Sequence, residues 1–266
     1  MLKISIITPT FNSVATLLST MKSLLRQSYQ NFDYIIVDGG STDGTQDLIQ
    51  TWEPRFVNRL RWISEPDKGI YDGMNKGMKL AQGDIVGILN SDDYFTSDDV
   101  LACVAEAFEA DPTLDVVYGD VHFVKGNSSD IVRYYSSERF TSDSFKNGFM
   151  PAHPSVYVRK EVFDRSGGYN LDYKIAADFE WLVRLFCKMK VKARYLNMDF
   201  VTMRVGGTSG KNIHSRLVIL KEDVRACQEN GVSTSVLRVA TKYLFKLKEL
   251  RPAYWKGFWA RAFMIR

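Results

Sequence analysis

The sequence is poor in cysteine and in histidine, with three residues of each among 266. The cysteines, Cys103, Cys187 and Cys227, lie far apart and form no C-x-x-C pair. We therefore expect neither a disulfide framework nor a structural zinc site. Free, partly buried thiols in a reducing compartment fit this pattern.

Targeting signals are also missing from the amino-terminal stretch, MLKISIITPT, which has no basic segment followed by an apolar one. No signal peptide is expected. The longest uncharged run near the start, Ile4 to Met21, contains Pro9, Asn12 and several serines and threonines, unlike a transmembrane helix. The sequence predicts a cytoplasmic protein whose 45% of hydrophobic residues can bury a substantial core.

Two common phosphate-binding fingerprints are absent from DGGSTDGT, Asp38 to Thr45. No lysine follows Gly44 as a P-loop requires, and the G-x-G start of a dinucleotide fingerprint is missing. The glycines permit a tight turn, and Asp43 can cap the next helix. Asp38, at a strand end, remains as a hydrogen-bond acceptor for a base edge or a ribose hydroxyl.

Short apolar runs rich in β-branched residues alternate with helical patterns in the first half. The predicted strands are Ile4–Thr8, Tyr34–Val37, Arg59–Ser64 and Asp84–Leu89, and one predicted helix covers about Asp72 to Ala81. This order predicts an α/β fold with a mostly parallel central sheet flanked by helices.

The second half predicts a helix near Asp98–Ala110, strands in VVYGDVHFV, SVYVRK, ARYL and VTMRV, and a helix in AADFEWLVRLFCKM. Helices then occupy the tail. The polar, serine-rich segment from Lys125 to Pro151 is predicted to be a long loop.

The apolar run in GDIVGILNSDDYF ends abruptly in Asn90, Ser91, Asp92 and Asp93. In an open α/β sheet, ligands bind beyond the carboxyl ends of the strands. Two adjacent carboxylates repel and need a counter-charge, which a divalent cation would supply. An exposed acidic turn is the alternative.

A second Ser-Asp-Asp tripeptide, Ser97 to Asp99, provides an internal comparison. It precedes a helical pattern of apolar residues that begins at Val100. There we expect Ser97 to be the N-cap, with the two acids at the positive end of the helix dipole.

Five segments in one order resemble the family 2 glycosyltransferases: SIITPTFN, IIVDGGSTDGT, GIYDGMNKG, GDIVGILNSDD and AADFEW. The resemblance spans about Ile4 to Gly210 and is greatest to a bacterial branch that builds surface polysaccharides. It implies the GT-A (nucleotide-diphospho-sugar transferase) fold, with a C-terminal helical appendage here. It also implies inverting transfer from a nucleotide-diphosphate donor, with a UDP-sugar as the expected one, to a saccharide or lipid-linked saccharide, with Mn²⁺ or Mg²⁺.

The resemblance also implies roles on the donor side. Pro9, Thr10 and Phe11 match the nucleobase pocket, Asp38 the acid that contacts the base, and Ser91 and Asp92 the donor-binding turn. The metal motif has Asn90 in place of its first acid, so ligation rests on Asp92 and Asp93. Asn75 matches a donor-binding position whose neighbouring arginine is missing, and Lys68 or Lys76 could supply that charge.

Asp178 matches the catalytic base of the family. An acceptor hydroxyl is a poor nucleophile, so a carboxylate must take its proton as attack begins. An ordinary first-turn acid on a helix is the alternative. Glu180 and Trp181 lie within a turn of it and could face the acceptor, although Trp181 could equally join the core. His153 could face the acceptor, and His214 could reach the diphosphate or metal.

The tail from Ser233 to Arg266 carries eight basic residues against one acid, on a body that is mildly acidic. Its apolar and aromatic residues follow helical spacing, which suits an amphipathic helix on an anionic membrane. A helix packed on the body is the alternative, and no nucleic-acid motif is present. We expect a transferase domain over residues 1–215 and a basic helical segment over 216–266, attached peripherally to the inner face of the plasma membrane.

Two other functions compete with a transferase. A sugar-1-phosphate nucleotidylyltransferase needs a glycine-rich, arginine-containing loop after strand one, where this chain has TPTFNSVATL. A catalytically degenerate binding or scaffold subunit is supported by Asn90, Met74 and Ala177, and opposed by the retained aspartates. Donor hydrolysis that depends on Asp178 would distinguish them.

Overall fold

The computed structural model describes residues 1–126, 130–205 and 213–243, apart from the side chains of 213 and 214. The strands are β1 Ile4–Thr10, β2 Phe32–Asp38, β3 Leu60–Ser64, β4 Ile85–Ile88, β5 Tyr94–Phe95, β6 Val116–Val124, β7 Ile131–Tyr135, β8 Val156–Arg159 and β9 Ala193–Arg204. The α-helices are α1 Leu17–Leu25, α2 Thr45–Trp52, α3 Ile70–Leu80, α4 Val100–Ala110, α5 Lys160–Ser166, α6 Ala177–Val183, α7 Ile213–Glu229 and α8 Val236–Ala240. Within these residues no helix is both long and apolar enough to cross a membrane.

One sheet runs through the molecule in the order β3-β2-β1-β4-β8-β6-β9-β5, with β7 beside β6. The first four strands are parallel, as predicted. Beyond β4 the sheet is mixed, because β8 is antiparallel to both of its neighbours and β9 runs parallel to β6. The two strands predicted in ARYL and VTMRV are one strand, β9.

Both faces of the parallel strands are covered, which explains their continuous apolar runs. Every residue of β1 is buried, and alternate side chains enter different cores. Ile6 packs in the core that contains α1 and α4, and Ile7 in the core that contains α3 and α6. A Cβ at Gly77 of α3 would overlap Ile7 Cγ2, so this glycine lets α3 lie close against β1.

The segment from Lys125 to Pro151 was predicted to be a loop, and this is wrong for much of its length. It contains β7 and a 3₁₀ turn, Ser142–Asn147, whose Phe145 is fully buried. The start of the predicted helical segment 216–266 also packs on the body, because Ala226 and Cys227 of α7 lie in the core beside α6. The boundary after residue 215 remains a prediction.

Candidate active site

The carboxyl ends of β1, β2 and β4 meet at one edge of the sheet, as their parallel register requires. Gly39 N donates to Thr10 O at 2.8 Å, and Leu89 N donates to Ile7 O at 2.9 Å. The segment after β1 also contacts the turn after β4, since Ser13 Oγ and Ser91 Oγ lie 2.9 Å apart. The predicted edge is therefore present as a continuous surface.

Pro9, Thr10 and Phe11 lie at this edge in different environments. The Phe11 ring is 61% exposed, so it has a free face, whereas Pro9 is buried. Thr10 is 4% exposed, and its hydroxyl has no hydrogen-bond partner among the described residues.

Asp38 is fully buried, and its carboxylate is occupied by neighbouring groups. Oδ2 accepts from Ser41 N at 2.9 Å and from Ser64 Oγ at 2.6 Å, and Oδ1 accepts from the Ser41 hydroxyl. Asp38 therefore shapes the loop after β2, and the carboxylate does not face the open edge as expected. Direct contact with a base would require these bonds to be released.

Asp67, rather than Asp38, has its carboxylate beside Phe11 at this edge. A Cβ added at Gly39 would lie 2.7 Å from Asp67 Oδ2 and 3.4 Å from a Phe11 ring carbon. Asp67 is half-buried and lies in SEPDKG, a turn just before α3. It lies two residues before GIYDGMNKG, one of the five segments that resemble the family, and this position was the signal that could have identified it.

Asn75 and Lys76 on α3 are engaged within the protein, and their donor-binding assignment stays a prediction. The Asn75 amide donates to Tyr169 O at 2.8 Å and accepts from Tyr169 N at 2.9 Å, so both of its ends hold that backbone. Lys76 Nζ lies 2.8 Å from Glu65 Oε1 and 2.9 Å from Pro66 O. Lys68 is exposed at the turn before α3.

The turn after β4 holds its two acids in unequal environments. Asp93 is 1% exposed and accepts from Asn90 Nδ2 at 2.9 Å, whereas Asp92 is half-buried. Burial, aided by the Asp92 charge, raises the pKa of Asp93 to about 8. The turn is therefore not the exposed acidic turn considered as the alternative.

Arg204, at the end of β9, supplies a positive charge that the sequence analysis missed. Its guanidinium donates to Asp92 O and, at 2.8 Å, to Ser19 Oγ, and it lies 4.9 Å from the Tyr94 ring centroid. The charge lowers the pKa of Asp93 against the effect of burial. More than 100 residues separate Arg204 from the turn, so no local pattern could have paired them.

The oxygens of this turn fit a divalent cation that is shared with a ligand. Among the described residues, no three His, Cys, Asp or Glu side chains form a complete metal cage. Hard cations such as Mg²⁺ are commonly held by one or two carboxylates together with substrate phosphates. Asp92 and Asp93 offer carboxylates, and the buried Asn90 Oδ1 has no hydrogen-bond partner in the described part.

Asp178 lies in the first turn of α6 and is held by a tyrosine from α3. Its Oδ1 accepts from Tyr71 OH at 3.0 Å and from Phe179 N at 2.9 Å. Tyr71 OH also contacts Ile175 O. Burial, and next the Asp178 charge, raise the pKa of Tyr71 well above its ordinary value, so this phenol stays protonated and donates. Tyr71 was not identified from the sequence.

Three other predicted residues near Asp178 are structural or lie in the wall of a cavity. Glu180 is buried in an ion pair with Arg184 at 2.8 Å, and Trp181 is 2% exposed and donates to Ser166 Oγ at 2.9 Å. Both are buried in the core, as the alternative for Trp181 expected, and their acceptor-side assignment stays a prediction. His153 is buried beside Trp181, its Nε2 lies 2.7 Å from Tyr169 OH, and burial lowers its pKa. The His214 side chain lies outside the described residues.

A cavity of about 300 Å³ opens beside Asp178. His153 and Asp178 form part of its wall, together with residues of β6, β7, β9 and α7. Met203 lies in this wall, and the next residue, Arg204, contacts the carboxylate turn. The base candidate and the acidic turn are therefore connected through consecutive residues of β9.

Comparison with known sequences gives consistent matches over most of the chain. The profile of the family described as "Glycosyl transferase family 2" matches residues 5–169. A "PGL/p-HBAD biosynthesis glycosyltransferase" of Mycobacterium bovis is 34% identical over 199 residues, which cover 73% of each chain.

Solved structures show the same fold at low sequence identity. S. aureus TarS 1-349 in complex with UDP-GlcNAc superposes with a TM-score of 0.66 and 17% identity, over 91% of this chain and 71% of that one. The mannosyltransferase PcManGT from Pyrobaculum calidifontis, in complex with GDP-Man and Mn²⁺, gives a TM-score of 0.65 and 19% identity, over 94% and 72%. Against a longer TarS chain, this chain spans 43% of the length.

Proposed function

The chain belongs to glycosyl transferase family 2, and from that premise we propose that it transfers a sugar from a UDP-sugar to a saccharide acceptor, with inversion and with a divalent cation. The observation that carries this proposal is Asp178, held by Tyr71 in the wall of a cavity that β9 connects to the acidic turn. Family membership decides against the nucleotidylyltransferase alternative.

Asp178 is the residue that would activate the acceptor. Tyr71 and the Phe179 amide both donate to Oδ1, so we assign Oδ2 to the acceptor hydroxyl. The hydroxyl oxygen attacks the anomeric carbon, its proton passes to Asp178, and the bond from that carbon to the diphosphate oxygen breaks. With an α-linked donor, this single displacement gives a β linkage.

The donor would lie along the strand edge. The exposed face of Phe11 suits stacking on the base, and Asp67 beside it suits a hydrogen bond to base or ribose. Asp92 and Asp93 would hold the cation with the diphosphate oxygens, and the cation would neutralise the charge of the leaving group. TarS binds a uridine donor and PcManGT a guanosine donor, so the choice of UDP needs a direct test.

The acceptor would be a saccharide or lipid-linked saccharide at the inner face of the plasma membrane. Leu237 and Val236 of α8 are 84% and 51% exposed, and α8 leads into the basic, aromatic tail. That tail, residues 244–266, lies outside the described residues. Flotation with anionic vesicles tests the membrane part, and unchanged binding after deletion of residues 233–266 would refute it.

The decisive experiment is calorimetric titration of UDP, GDP, CDP and TDP with and without Mn²⁺, followed by donor turnover in the Asp178→Asn variant. We expect one diphosphate to bind in a metal-dependent way, and the variant to bind it equally but lose transfer by about 100-fold or more. Full activity in the variant refutes the base assignment. Absence of nucleotide binding would instead favour the degenerate scaffold.

A further inference from the structure

The cavity beside Asp178 has a wall that is mainly apolar. Its apolar residues come from six parts of the chain: Val121 and Phe123; Tyr135; Phe149, Met150, Ala152 and Pro154; Ile175, Ala176 and Phe179; Met203; and Ile219. We propose that it binds an apolar, ring-sized group of the acceptor, next to the hydroxyl that receives the sugar. This inference rests on the proposed transfer and on the role of Asp178.

Several polar groups of the wall already have partners within the protein. Tyr135 OH donates to Met150 O at 2.5 Å, His153 Nε2 is bonded to Tyr169 OH, and Lys242 pairs with Asp223. A sugar ring would need several partners for its hydroxyls and would lose those it has in water. An apolar group has no such requirement and gains by leaving water.

Aromatic faces give the cavity a shape that suits a ring. Phe149 stacks on Tyr135 with centroids 5.5 Å apart and an angle of 28°. The guanidinium of Arg133 lies 4.7 Å from the Phe123 centroid and 5.5 Å from that of Tyr135. The wall is therefore built of stacked planar groups, on which a further aromatic or cyclic group can pack.

The size of the cavity limits the distance between the apolar group and the reacting hydroxyl. A volume of about 300 Å³ is at the lower end for ligand pockets and accommodates one ring or a short alkyl segment. Because Asp178 is in the same wall, the hydroxyl must be on the first sugar attached to the apolar group. The enzyme would thus act early in assembly, after a reaction that attaches one sugar to an apolar compound.

The test compares acceptors that share one sugar and differ in the aglycone. Phenyl and methyl β-glucosides are titrated into the wild-type protein with UDP and Mn²⁺ present, and binding is followed by saturation-transfer NMR and calorimetry. We expect the phenyl compound to bind at least about 10-fold more tightly. Equal affinities, or tighter binding of an oligosaccharide without an apolar end, would overturn the proposal.

A matched pair of variants locates the preference in the cavity. Ile219 lies in the wall, whereas Leu217 on the same helix is 53% exposed and outside it. Ile219→Gln should reduce the preference for phenyl by about 5-fold or more, with nucleotide affinity unchanged, and Leu217→Gln should preserve it. An equal loss in both variants would contradict the assignment. A phenyl preference without donor turnover would refute the proposed function while supporting the site.

Discussion

The same tripeptide, Ser-Asp-Asp, occurs at residues 91–93 and 97–99, and its aspartates lie in different environments at the two sites. In the first, Asp93 is 1% exposed, and its pKa is raised to about 8 by burial and then by Asp92. In the second, Asp98 is exposed and lies 3.2 Å from Arg26 Nε, and Asp99 accepts from Ser28 Oγ at 3.0 Å.

The difference shows that position relative to the sheet decides what a carboxylate can do. The second pair precedes α4 at the surface, where Arg26 pairs with Asp98 and Ser28 donates to Asp99. The first pair closes a buried strand, where Asp93 is buried and Arg204 bonds to the Asp92 carbonyl. A buried carboxylate without a full counter-charge is suited to bind a cation.

The largest expected difference between the two Ser-Asp-Asp sites is in catalytic activity. Asp92→Asn should lower kcat/KM for the donor by at least about 100-fold, because it removes a charge that holds the cation against the diphosphate. Steady-state kinetics at fixed Mn²⁺ measures this. Asp99→Asn is the control and should stay within about 2-fold. Equal losses in the two variants would mean that the first pair has no special role.

Arg204 contacts the first Ser-Asp-Asp site and Arg26 the second, and their substitutions should change kcat/KM by different but smaller factors. Arg204→Lys should lower kcat/KM by about 10-fold, because lysine has one nitrogen in place of the two that donate to Asp92 O and Ser19 Oγ. Arg26→Lys removes an exposed pair and should change the rate by less than about 2-fold. Steady-state kinetics with the donor measures kcat/KM for both variants. An unchanged kcat/KM in Arg204→Lys would show that the guanidinium is dispensable.

Stability should respond in the opposite sense to activity. The pKa of Asp93 is raised, so its ionisation costs folding free energy as pH rises from about 4 to about 8. Without divalent cations at pH 8, Asp93→Asn should be more stable by about 1–3 kcal/mol, with no gain below pH 4. Thermal unfolding across this range measures it. Asp98→Asn should follow the wild-type curve, and an Asp93→Asn curve with the wild-type slope would refute the burial argument.

The smallest effect concerns the predicted cap of α4, which is wrong. The helix begins at Val100 after Asp99, with no side-chain cap bond, and the buried Ser97 hydroxyl has no partner among the described residues. Ser97→Ala should therefore change stability by less than about 0.5 kcal/mol, whereas loss of a true cap costs about 1 kcal/mol. Chemical denaturation distinguishes the two values.

The sequence was sufficient where the determining contacts are local. The strands β2 and β4, which end at Asp38 and Ile88, could be predicted because both of their faces are buried and apolar, and parallel register then aligns their ends. The edge strand β7 was missed because Ile131 and Val132 are about half exposed and its pattern resembles a loop.

Side-chain partners from distant parts of the chain could not be predicted. Tyr71 and Asp178 are 107 residues apart, and Asn75 is bonded to Tyr169 across 94 residues. Lys76 was proposed to bind a phosphate because no sequence pattern indicates that it pairs with Glu65. The sequence thus located the loops of the site, and the fold determines which of their side chains are free.

The alternation of β9 has a consequence for how this protein tolerates insertions and deletions. Met203 lies in the cavity wall, and Arg204 contacts the acidic turn after β4. Successive residues of a strand point to opposite faces of the sheet. Loss of one residue just before Met203 would exchange their faces, putting a guanidinium in the apolar wall and a thioether at the acids. We therefore expect this part of β9 to tolerate substitutions but not insertions or deletions.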